Sequence, residues 1–199
     1  MFQKIGLAII FLALLWTLVS YFFDRSIEQP SYEVVTQKDG YEIRTYAPLL
    51  VAETTIKDSS RSSLNKGFKV LADYIFGNNI KVNGDGEEKL AMTAPVFVDD
   101  VDPEGESIMS FVMPSTYTKE TLPLPNNPAV RIIEKPERTL AVLTFSWWRT
   151  DRKVEEKKQE LLDLLARDGV ETTGSVQYAG YNAPFTAPWL NRHEVLIEL

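Results

Sequence analysis

The sequence predicts an α+β fold: one strand–strand–helix–strand unit used twice, behind an apolar N-terminal helix. Three observations carry this. A tripeptide occurs twice, as Thr93-Ala94-Pro95 and Thr186-Ala187-Pro188. The apolar pattern switches between strand and helix periodicity in the same order in both halves. Nineteen residues from Ile5 to Phe23 carry no charge.

That uncharged stretch lies between Lys4 and Asp24-Arg25. At about 1.5 Å per residue, a helix of this length approaches the ~30 Å hydrocarbon core of a bilayer. Trp16, Tyr21, Phe22 and Phe23 crowd its second half, as an interfacial aromatic belt would. A cleaved signal peptide would need small residues at its cleavage site, and Ser20-Tyr21-Phe22-Phe23 offers none. Residues 1–25 are therefore expected to form an uncleaved, single-pass anchor, and residues 26–199 the folded domain. Lys4 and the α-amino group favour an inside N-terminus, which puts the domain on the extracytoplasmic side, and Arg25 partly opposes them.

Residues 26–40, with Pro30, read as a linker, within which Ser31 to Val35 is expected to begin the first strand. Tyr41 to Tyr46 alternates apolar and polar, Ala47-Pro48 interrupts it, and Leu50 to Ile56 resumes as a β-branched strand. Leu64, Phe68, Leu71, Ala72 and Ile75 then share one face of a helix, with Ser59 or Ser60 to cap it and Gly77-Asn78 to end it. Loops at Asn83–Lys89 and Asp99–Glu106 read as hairpin-style connections around the segment Leu90–Val98, and Ile108–Met113 as a strand. Four prolines between Pro114 and Pro128 mark the boundary between repeat one, about 32–114, and repeat two, about 129–199. Strands then follow at Val130–Glu134 and Thr139–Phe145. A helix with Val154, Leu161, Leu162 and Leu165 on one face starts at Thr150 or Asp151 and stops at Gly169. Val176–Tyr178 and Glu194–Leu199 close the unit. At an offset of 89 residues, Ile43 meets Ile132, Ala52 meets Ala141 and Thr55 meets Thr144. On this colinearity the two Thr-Ala-Pro copies are expected to mark equivalent strand starts.

Composition narrows the chemistry. A net charge of −7 without a Lys/Arg cluster argues against nucleic acid. The absence of cysteine excludes disulfides, thiolate catalysis and Cys-bound zinc. His193, the sole histidine, reads as a surface or strand-end residue, because no nearby motif supplies the partners of a triad or metal site. The acidic run Asp100–Gly105 lacks the closing Glu of a calcium loop, since Phe111 stands there, and reads as a solvated turn. No catalytic or metal site is expected. The aromatic surplus reads residue by residue as core, and as a group it would also suit a cleft for a flat apolar ligand.

In combination and order, several pieces resemble the SOUL family of haem-binding proteins. They are Tyr41-Glu42-Ile43-Arg44-x-Tyr46-x-Pro48, Tyr74-Ile75-x-Gly77-x-Asn79, Lys89-x-x-Met92-Thr93-Ala94-Pro95-Val96, Ala179-Gly180-Tyr181-Asn182-x-Pro184 and Asn191-Arg192-x-Glu194-Val195. The resemblance implies a distorted antiparallel β-barrel of two pseudo-symmetric units with two flanking helices. It also implies binding of haem or another tetrapyrrole in an apolar groove beside the first helix of the domain. Carried over by position, Leu64, Asn65, Phe68 and Ala72 would face the groove with Met92, and the segment Tyr181–Ala187, including Tyr181 and Phe185, would form the opposite wall. Some members have a histidine directly after Tyr-Glu-Ile-Arg; here it is Thr45. Haem is therefore expected without histidine ligation at that position, leaving Met92, Tyr46 and His193 as the remaining candidates. The alternatives are a module for another apolar ligand or a protein partner, and, with no nucleophile–base constellation to support it, an enzyme.

Overall fold

The computed structural model describes residues 2–82, 84, 86–100 and 106–199, with the side chains of residues 2–5 and 7–9 outside the description. The elements in order are α1 (Phe2–Arg25), β1 (Tyr32–Gln37), β2 (Glu42–Tyr46), β3 (Leu49–Ile56), α2 (Arg61–Ile75), β4 (Asn79–Ile80), β5 (Val96–Asp100) and β6 (Ser107–Val112). They continue with β7 (Leu124–Pro125), β8 (Arg131–Lys135), β9 (Arg138–Phe145), α3 (Asp151–Asp168), β10 (Thr173–Gly180), a 3-10 turn at Pro188–Leu190 and β11 (His193–Glu198).

Nine strands form one antiparallel sheet in the order β1-β2-β9-β11-β10-β5-β6-β3-β8, and β4 pairs with β7 separately. Apart from β1, the order is palindromic under the repeat: β2 matches β8, β3 matches β9, β5 matches β10 and β6 matches β11. The 89-residue offset holds at both ends of one pair, Leu49–Ile56 against Arg138–Phe145. Two expectations need correction. The expected distorted barrel is an open, strongly curled half-barrel sheet, with β1 and β8 as its two edges. The Thr-Ala-Pro copies are also not equivalent. The first precedes β5, whereas the second lies between β10 and β11, the partners of β5 and β6. Colinear order alone could not tell a strand start from the connection one strand later.

The repeats exchange their first strands. β2 pairs with β9 and β8 with β3, so neither two-residue link, Ala47-Pro48 or Pro136-Glu137, closes a hairpin. Proline cannot donate to a ladder, and at both links it helps turn the chain away from the strand it has just left.

Period-two alternation then divides the strands between two faces. The helix face gathers Ala52, Ile56, Met109, Phe111, Leu143, Phe145, Val195 and Ile197 under α2 and α3. The opposite face gathers Tyr46, Val51, Phe97, Val112, Leu140, Val142, Ala179, Tyr181 and Leu196. Both domain helices begin as expected. The Ser60 hydroxyl accepts from Ser63 N at 3.4 Å and the Thr150 hydroxyl from Lys153 N at 3.2 Å. Gly169, with φ 66°, closes α3.

Among the described residues no helix is long and apolar enough to cross a membrane. The expected anchor, residues 5–23, falls partly on residues whose side chains lie outside the description. Two of the expected loops do so as well, at residues 83 and 85 and at 101–105 of the acidic run.

Candidate functional site

The seven residues expected to line a cleft divide into separate environments. α2 crosses β3 closely because position 67 is glycine: an added Cβ would stand 2.5 Å from Ile56 Cγ2. That approach seats Leu64 against the helix-face core and leaves Phe68 at the helix margin. Phe68 packs edge-on against Phe111, with ring centroids 5.2 Å apart, yet remains 38% exposed. Asn65 is exposed, Ala72 half-buried, and Met92 exposed in the segment before Thr93. The side of α2 thus presents an aromatic ring among small and polar neighbours.

Tyr181 and Phe185 are placed elsewhere. Tyr181 is buried in the opposite-face core and donates to Glu194 Oε2 at 2.7 Å. Phe185 is 53% exposed and packs edge-on against Phe23 of α1 at 4.9 Å, and its carbonyl accepts from the Trp16 indole at 2.8 Å. The structure brings the α2 residues together and gives Tyr181 and Phe185 these other partners.

A buried charge network escaped the reading of the sequence. Glu194 is fully buried. Its Oε1 accepts from Arg44 Nη1 at 2.9 Å, Arg192 Nη2 at 2.8 Å and Thr144 Oγ1 at 3.1 Å. Arg44 also donates to Tyr46 Oη at 3.2 Å and lies over the Tyr32 ring, while Arg192 lies over the Tyr181 ring. Burial pushes the Glu194 carboxyl up, but Arg192 and Arg44, with the Tyr181 and Arg44 hydrogen bonds, hold it below its usual range. Burial raises the Tyr181 and Tyr46 phenols, with Glu194 adding to the effect. A signal was present in the sequence. Arg44 and Glu194 sit at strand positions whose alternation assigns them to a sheet face, where isolated charges require partners.

His193 is buried at the start of β11 rather than on the surface. Its Nε2 donates to the Trp147 carbonyl at 2.9 Å, so Nδ1 accepts from the Tyr178 hydroxyl at 2.8 Å. Desolvation, assisted by Arg149 and Lys153, lowers its pKa, and the Tyr178 phenol is pushed up to about 12 by burial. Thr45 shares the helix face with Ile43 by alternation and bonds Thr139 across the strand pair at 3.2 Å. Among the described residues no group of three or more His, Cys, Asp or Glu side chains could hold a metal ion.

A cavity of about 630 Å³ opens beneath the linker, between Pro30, Pro48, Leu49, Leu50, Met113 and Tyr117, with Lys119 and Lys135 at its margin. None of the seven expected residues lines it.

Residues 27–198 match the family model described as SOUL heme-binding protein. The chain is 30% identical to Heme-binding protein 2 of Mus musculus over 174 residues, 81% of this chain and 82% of that protein. It is 31% identical to Heme-binding protein 2 of Homo sapiens over 172 residues, 80% of each. Among solved structures it resembles the EcmrR C-terminal domain, with TM-score 0.57, 13% identity, and coverage of 84% of this chain and 96% of that one. A hydrolase from Listeria innocua gives TM-score 0.52 and 10% identity over 82% of this chain and 93% of that one. At such identities these two likenesses concern the fold alone.

Proposed function

This chain belongs to the SOUL heme-binding protein family, and from that membership we propose that it binds haem or another tetrapyrrole against the exposed side of α2. It does so as a carrier or buffer, held at a membrane by residues 5–23 with the domain on the extracytoplasmic side. The observation that supports the ligand site is Phe68, an aromatic ring braced by Phe111 and left 38% exposed, with Leu64 and Ala72 beside it. Asn65 offers an amide to a propionate. Both nitrogens of His193 are engaged and Thr45 replaces the histidine of some members, so binding rests on apolar contact and propionate pairing. We read the protein as a binder and not an enzyme.

Haemin titration of the full chain in detergent tests this. The expected result is a red-shifted Soret band with quenched tryptophan fluorescence. Phe68→Ala should weaken binding about tenfold, the equivalent of an aromatic contact of roughly 1.4 kcal/mol. Thr45→His should gain an axial-ligand signature if Thr45 lies at the iron. A native chain with no Soret shift would sink the haem reading.

The cavity beneath the linker favours a second reading, in which another apolar small molecule is the ligand. Its size is within the range of small-molecule sites. Leu50→Trp would then abolish binding of that ligand, whereas haemin binding through α2 would survive the same change.

A further inference from the structure

The N-terminal helix is fastened to the domain along its second half. Ser20 is fully buried and its hydroxyl accepts from Ala187 N at 3.0 Å. Asp24 accepts from Asn182 at 2.7 Å and from Thr186 at 3.2 Å. Trp16 donates to the Phe185 carbonyl, and its ring meets Trp189 edge-on at 5.5 Å. The remaining faces of α1 stay uncovered: Phe11, Leu12, Leu15, Leu18, Val19 and Phe22 are all exposed.

We propose that the ridge formed by Phe185 and Trp189, flanked by Trp147 and Trp148, is a lipid-binding surface seated in the interfacial layer of the bilayer that receives α1. The inference rests on the tether reading above and adds to it an orientation of the domain. Depth is the first argument. Trp16 lies seven residues, about 10 Å, inside the Phe23 end of the uncharged stretch. The interfacial layer is only about 5–8 Å thick on each side. With Asp24 and Arg25 holding the Phe23 end at the outer edge of that layer, the Trp16 hydrogen bond draws Phe185 and Trp189 down to the boundary with the acyl chains.

The second argument is the backbone of Trp147, which has φ 80°, a conformation that bulky side chains rarely adopt. Three hydrogen bonds hold it there: Trp147 N to the Pro188 carbonyl at 3.1 Å, and its own carbonyl to Asn191 and His193. The strained turn leaves Trp147 and Trp148 55% and 56% exposed, directly beside the ridge turn. Chemistry is the third argument. Tryptophan combines an apolar body with one N–H donor, which suits the headgroup level. Arg149, Arg152 and Lys153 follow at once. Asp151 and Glu156 pair with the two arginines at 2.8 and 2.7 Å, and Lys153, which donates to the Ser146 carbonyl, adds a positive charge to attract anionic headgroups.

Full-length variants that keep only Trp16, only Trp189 or only Trp147, the others replaced by Phe, test this in phosphatidylcholine–phosphatidylglycerol vesicles. The lipids carry bromine either near the headgroup or deep in the acyl chain. Trp189 and Trp147 should emit at shorter wavelength than in water and lose most of their intensity to the shallow label. If Trp16 is quenched while Trp189 and Trp147 emit as in water, the tether stands and the lipid surface is overturned. If Trp16 is not quenched, the tether fails and the surface fails with it. A blue-shifted Trp189 that bromine does not quench means that protein covers the ridge, which also overturns the proposal. Because the chain has no cysteine, Phe185→Cys carrying an environment-sensitive dye repeats the depth measurement with all four tryptophans in place.

Discussion

At the scale of single residues, Glu194 has the largest consequences. Two guanidinium groups and two hydroxyls converge on a carboxylate with no access to water. Replacing it leaves Arg44 and Arg192 without their central partner in a buried setting. Glu194→Ala should cost about 3–5 kcal/mol, the usual penalty for breaking such a pair from one side, measured by urea denaturation at neutral pH. The folded carboxyl binds its proton more weakly than the unfolded one. Its stabilisation is therefore present in full above about pH 4.3, the unfolded value, and is lost as pH falls through the lower folded value. His193 acts at higher pH. Its folded pKa is also depressed, so the unfolded chain protonates first, and stability begins to fall below about pH 6.5. As the only histidine, it can be isolated: His193→Gln should flatten the loss of stability between neutral pH and that of acid unfolding.

At the scale of elements, α2 illustrates two opposed effects at Gly67. Alanine there would improve helix propensity by about 1 kcal/mol. Its Cβ would also meet the branched Ile56 side chain at 2.5 Å, and Met109 Sδ at 3.3 Å, inside the core. Overpacking costs roughly 1–3 kcal/mol, so the clash prevails and Gly67→Ala should lower the thermal midpoint. α3 has no such conflict. Thr150→Ala removes only its N-terminal cap and should cost about 1 kcal/mol, again by urea denaturation.

The whole molecule depends on two connections that cross its parts. Through β2 on β9 and β8 on β3, each repeat completes the other's half of the sheet, so the halves should unfold as one unit. The other connection is α1, which supplies the Ser20 acceptor for Ala187 N and covers part of Phe185. A chain beginning at Ser26 should therefore melt at a lower temperature than the full chain in the same detergent. Equal midpoints would mean that the helix contributes nothing to the stability of the domain.

Periodicity and end signals in the sequence by themselves determined the α+β class, the two domain helices with their starts to within a residue, the 89-residue repeat and the apolar N-terminal helix. Each of these is set by neighbours a few residues apart, so local pattern suffices. Of the candidate site, Leu64, Asn65, Phe68 and Ala72 were named through the family resemblance; helical period put Leu64, Phe68 and Ala72 on the same side as Leu71 and Ile75, and could not tell the exposed Phe68 from the buried Leu71. What lay across from that side was not legible. The placement of Tyr181 with Glu194, and of Phe185 against Phe23, depends on contacts between residues far apart in the chain. The strand exchange, the open curl of the sheet and the non-equivalence of the two Thr-Ala-Pro copies were likewise decided only in the tertiary structure. A strand records in its sequence which face it buries, but not which strand it will pair with.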